Sequence, residues 1–77
     1  MRALKRAGVS VEYIKLPFDL VLYIPKRRET AFGEVKTEDG RLTKAQEAFM
    51  ERWPGKVYIF RSPEDAVRQV LGEEALA

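Results

Sequence analysis

The chain contains no cysteine and no histidine. Without thiols there are no disulfides and no thiolate metal sites, and without imidazoles there is no histidine base or ligand. Any metal must therefore sit on oxygen donors, which favours Mg²⁺, Mn²⁺ or Ca²⁺ over zinc. Long apolar runs are missing too: none approaches the roughly 20 residues that span a bilayer, and no signal-peptide pattern is visible. A cytoplasmic protein is the expectation. Net charge is small, with 14 basic against 12 acidic side chains, so charge alone argues little for a nucleic-acid partner. Internal repeats and low-complexity segments are absent as well.

What is present fits one domain. A chain of 77 residues buries a small core that is only marginally sufficient alone, so a self-pairing homodimer is expected. The basic residues cluster: Arg2, Lys5 and Arg6 near the start, then Lys26, Arg27 and Arg28 in a turn, with Arg41 and Lys44 further on. These are the candidate phosphate contacts, although a basic turn is commonly just a solvated hairpin tip.

Read in order, 1–7 has the length of about two helical turns, and Gly8 stops it. Residues 9–16 alternate Val9, Val11 and Tyr13 against Ser10 and Glu12, the pattern of a strand, which Pro17 ends. Residues 19–24 form a second strand, rich enough in Leu, Val and Ile to be buried on both faces, yet opened by an acid, Asp19. Pro25 closes it, and a turn over 26–29 leads to a third strand over 30–37, making an antiparallel hairpin. In that strand Glu34 and Lys36 lie two apart and share a face. With the loop centred between Arg27 and Arg28, Asp19 falls opposite Lys36 and Val21 opposite Glu34, so the three charged groups converge around a divalent metal. A slip of one residue would send Asp19 to the other face.

After a Glu38-Asp39-Gly40 turn, Thr43 and Gln46 have the spacing of a capping box at the head of a helix running to about Arg52 or Trp53. Ala45, Ala48, Phe49 and Trp53 make its apolar stripe. Pro54-Gly55 ends it, and 56–61 reads as a fourth strand whose core residues are Val57, Ile59 and Phe60. Ser62-Pro63-Glu64-Asp65 starts a last helix with Ala66, Val67, Val70 and Leu71 on its apolar face. Gly72 ends it, and 73–77 is expected to fray. The order is a possible short helix, three strands, helix, strand, helix. It implies an α/β (α+β) fold with a mixed four-stranded sheet flanked by helices.

Pro17-Phe18-Asp19, then Glu34-Val35-Lys36, Leu42-Thr43, Gln46, Phe49 and Trp53, and Arg61-Ser62-Pro63-Glu64-Asp65-Ala66 together resemble a known pattern. The string, running from about Pro17 to Leu71, is similar to the PD-(D/E)xK nuclease superfamily and, within it, to the virus-type replication-repair nuclease (VRR-NUC) family in a minimal stand-alone form. The resemblance implies a restriction-endonuclease-like core and a metal-dependent endonuclease acting on structured or branched DNA, with Mg²⁺ or Mn²⁺ as cofactor. It further implies that Asp19 and Glu34 ligate the metal together with the Val35 carbonyl, that Lys36 orients the attacking water, and that Gln46 points back toward the site. Two features depart from the pattern. Phe18 separates Pro17 from the acid, and 1–7 holds none of the first-helix acid of larger relatives.

The chemistry stands apart from the name. Phosphodiester hydrolysis needs a nucleophile at neutral pH and stabilisation of charge on phosphorus, which an oxygen-ligated divalent ion and a nearby ammonium supply. The plainer alternatives are specific too. Glu34 and Lys36 make an exposed ion pair worth under about 1 kcal/mol, Gln46 is simply a cap, and Phe49 and Trp53 are core or dimer contacts. Asp19 has the weakest such alternative, because an acid opening an apolar strand is costly unless paired or metal-bound. The other function class is a catalytically degenerate nucleic-acid- or protein-binding module, such as a small phage regulator.

Overall fold

A computed structural model of the chain describes residues 1–72; the fraying expected of 73–77 lies outside the described residues. Three helices and four strands follow in the order α1 (Arg2–Arg6), β1 (Ser10–Tyr13), β2 (Leu20–Ile24), β3 (Glu29–Val35), α2 (Lys44–Arg52), β4 (Lys56–Phe60) and α3 (Pro63–Leu71), with a 3-10 turn at Pro25–Arg27. The sheet order is β1-β2-β3-β4. The first three strands are antiparallel neighbours, and β4 runs parallel to β3 through the α2 crossover. This is the mixed sheet that the strand-helix-strand order requires.

Gly8 takes φ +89, which lets the chain leave α1 and enter β1 directly. One face of the sheet carries Val11, Leu20, Leu22, Ile24, Ala31, Tyr58 and Phe60, and α1 and α3 cover it with Leu4, Ala66 and Val70. Gly33 belongs to this face: a Cβ there would meet the Phe60 ring at 3.1 Å and the Leu20 and Leu22 methyls at 3.4 Å. The other face is covered by α2 through an aromatic cluster. Phe32 packs against Phe18, Phe49 and Trp53 at ring separations of 5.6, 5.7 and 5.2 Å, distances at which tilted and edge-on rings attract.

Several expectations are corrected here. β2 is not buried on both faces: Leu20, Leu22 and Ile24 are buried, Val21 is half-buried and Tyr23 is exposed, because α2 does not extend over Tyr23. In β4 it is Tyr58 and Phe60 that are buried and Val57 and Ile59 that are only half-buried, since α3 covers the sheet more completely than α2 does. On α2, Ala45 and Ala48 are exposed and no residue is fully buried. β1 stops at Tyr13, short of 16: Tyr13 already pairs with Leu20, so the six residues between them must turn the chain.

The hairpin register differs from the expected one by two residues. Leu20 pairs with Gly33 and Val21 with Phe32, so extending the ladder sets Asp19 opposite Glu34 rather than Lys36. The cause is the turn. Pro25–Arg27 closes a 3-10 turn, and Arg28 takes the left-handed conformation at φ 49, ψ 46, so Glu29 already pairs with Ile24. A two-residue slip preserves the face of every side chain, and Asp19, Glu34 and Lys36 remain on one side.

Candidate functional site

Asp19 immediately precedes β2, and its carbonyl accepts the Ile14 N–H at 2.8 Å. Its own N–H donates to Glu34 Oε1 at 3.0 Å, and the Val35 N–H donates to Asp19 Oδ2 at 3.0 Å. Each acid is therefore clasped by the backbone that carries, or adjoins, the other. Charge-assisted bonds of this kind fix carboxylate orientation more firmly than neutral ones.

Glu34 is 4% exposed and is the buried charged residue of the described chain. Its second oxygen, Oε2, lies 3.0 Å from Lys36 Nζ. Lys36 follows the last residue of β3, but its N–H still donates to the Phe60 carbonyl at 2.9 Å, extending the ladder with β4. Ammonium and carboxylate thus project from one pinned strand end. The plainer alternative of an exposed Glu34–Lys36 pair does not describe the geometry, because Glu34 is buried and solvent screening of the pair is reduced.

Gln46 is a cap: its side chain accepts the Thr43 N–H at 3.1 Å while Thr43 Oγ1 accepts the Gln46 N–H at 3.1 Å. Its amide nitrogen also donates to the Pro17 carbonyl at 3.3 Å. It thereby ties α2 to the segment that delivers Asp19, without bonding to either carboxylate. Phe49 and Trp53 sit in the aromatic cluster, with Trp53 39% exposed.

Among the candidate phosphate contacts, Arg2, Lys5 and Arg6 lie on α1, which packs on the sheet face opposite Glu34. The Lys26–Arg28 turn is not simply solvated: Lys26 Nζ reaches the Leu71 carbonyl at 3.3 Å, and Arg27 donates to the Tyr58 hydroxyl at 2.9 Å, which donates to Glu29 at 2.8 Å. Arg28, Arg41 and Lys44 are exposed. Arg61 was singled out in the sequence only as part of a motif. Its guanidinium donates to the Thr37 carbonyl at 2.7 Å and to the Gly40 carbonyl, which fastens the loop after Lys36 to the end of β4. No local pattern announces such a long-range clasp.

The donor chemistry bears on a metal. Asp19 Oδ1 has no hydrogen-bond partner among the described residues, and the other three carboxylate oxygens carry one partner each, leaving lone pairs for a hard ion. Among the described residues no third acidic side chain joins them. Glu12, on the same sheet face, is exposed on β1, two strands from Glu34. Comparison with known proteins finds no matching family model, no matching curated protein and no matching solved structure.

Proposed function

We propose that the chain is a metal-dependent endonuclease with a restriction-endonuclease-like core, related to the virus-type replication-repair nucleases and hydrolysing phosphodiester bonds in structured or branched DNA. The observation that supports it most is the reciprocal backbone clasp of Asp19 and Glu34 with the Lys36 ammonium 3.0 Å from Glu34. Asp19, Glu34 and the Val35 carbonyl would hold Mg²⁺ or Mn²⁺, a donor set that fits a hard ion and leaves positions for solvent and phosphate. When bound, the ion supplies Lewis-acid polarisation of the phosphate and a more acidic water.

The chain's own residues do the rest. Lys36 holds a positive charge where charge develops on the phosphate and orients the attacking water. Gln46 and Arg61 hold the flanking segments, so the acids need not reorganise when substrate arrives. A twofold homodimer gives two such sites, which suits a four-way junction or a two-stranded cut.

The proposal predicts cleavage of a four-way junction, a flap or a single strand in Mn²⁺ or Mg²⁺, lost by at least about a hundredfold in Lys36→Ala. No cleavage of any of these DNAs, or an unchanged Lys36→Ala, overturns it. The second reading, a degenerate DNA- or protein-binding module, is favoured by two observations: Lys36 occupies Glu34 Oε2, and among the described residues no third acid joins the pair.

A further inference from the structure

The segment that leads into Asp19 borders a cleft of about 450 Å³ whose cations and apolar floor the catalytic reading does not use. One wall is the β1–β2 connection, with Lys15, Leu16 and Pro17; the other is α2, with Gln46, Phe49 and Arg52. Leu16, on the connection wall, is 85% exposed. We infer that this cleft is a subsite for one unpaired nucleotide of a nucleic-acid strand. The inference rests on the reading of Asp19, Glu34 and Lys36 as a phosphodiester-cleaving site, and it names the form of substrate that site receives.

Three observations carry it. The lining joins an apolar floor to two cations, Lys15 and Arg52, neither of which has a carboxylate partner among the described residues. That combination matches a base attached to a phosphate. The Arg52 guanidinium lies 5.1 Å from the Phe49 ring centroid, and that ring packs in turn against Trp53 at 5.4 Å and Phe18 at 5.6 Å, so the guanidinium is the planar group offered to a base. Gln46 keeps one amide N–H beyond the bond to Pro17, a handle for a base edge.

Position supplies the link to cleavage. Pro17 lines the cleft and Asp19 is two residues on, at most about 7 Å of chain. A strand with one phosphate at the carboxylates thus offers the adjoining nucleotide to the cleft. A base stacked and paired in continuous duplex cannot enter, so flaps and single-stranded arms are the preferred substrates.

The test measures anisotropy of a labelled oligothymidylate of about 12 nucleotides, and of a continuous duplex, without metal. Wild type is compared with Ala45→Trp, which fills the cleft from an exposed lining position, and with Arg52→Glu; circular dichroism checks folding. Both variants are expected to weaken oligothymidylate binding about tenfold and to change duplex binding less than about twofold. Unchanged oligothymidylate binding in both variants, or none in wild type, overturns the subsite. So does a dimer, seen by sedimentation, that both variants dissociate without altering oligothymidylate affinity, because a second copy then occupies the cleft. Mn²⁺-dependent cleavage is assayed in parallel. No cleavage with a cleft-dependent loss of binding overturns the hydrolase and keeps the subsite, whereas cleavage with cleft-independent binding does the reverse.

Discussion

Glu34 is buried with one backbone and one ammonium partner, so the two ways of removing Lys36 have different consequences. Lys36→Met alone leaves a buried carboxylate with a single bond, a loss of about 1–3 kcal/mol in urea unfolding. Adding Glu34→Gln removes the uncompensated charge and keeps an acceptor for the Asp19 N–H, so the double variant should recover most of that loss. A Lys36→Met midpoint equal to that of wild type would mean the pair is effectively solvated. At this scale the period of two made the shared face of Glu34 and Lys36 legible in the sequence. The burial of Glu34 was not, because it depends on how the Phe18–Asp19 segment, whose Asp19 N–H bonds Glu34, packs beside the strand end.

Elements differ in how openly the sequence declares them. α2 and α3 were legible from their caps: Thr43 with Gln46 forms the capping box, and Ser62 Oγ accepts the Asp65 N–H at 3.0 Å. β4 was legible as a strand but not in its phase, since Val57, Tyr58, Ile59 and Phe60 are all apolar and only helix coverage chooses between faces. The hairpin register turned on Arg28 in a left-handed conformation, which a residue with a Cβ does not advertise. The start of α3 yields a pH prediction. The Arg61 backbone N–H holds the Asp65 carboxyl below the usual carboxylate range, against some burial, and Gln69, Arg68 and the Arg61 side chain add to it. A depressed folded-state value stabilises the fold above the unfolded carboxylate pKa near 3.9, and that stability is lost as pH falls through the folded value. The stability difference between wild type and Asp65→Asn should therefore be constant at neutral pH and shift as pH falls below about 4, where only wild type loses the contribution. A difference in melting midpoint that stays the same from neutral pH through the acid range would contradict the clasp.

For the whole molecule, the α+β class, the element order and the mixed sheet followed from strand and helix patterns in sequence. The partition of its two faces did not: an aliphatic layer under α1 and α3, and an aromatic one under α2, arise only once Gly33 lets Phe60 approach and Phe18 joins Phe32, Phe49 and Trp53. The candidate site stands at the end of β3 on the aromatic side, between the segment held by Gln46 and the loop held by Arg61. Its central claim is that this carboxylate pair holds a divalent ion. Titrating Mn²⁺ into the protein by calorimetry, with amide NMR line broadening read in parallel, tests that claim most directly. Saturable binding that broadens Asp19, Glu34 and Val35 first and vanishes in Asp19→Asn is the predicted result; no binding, or binding that Asp19→Asn leaves intact, would contradict it.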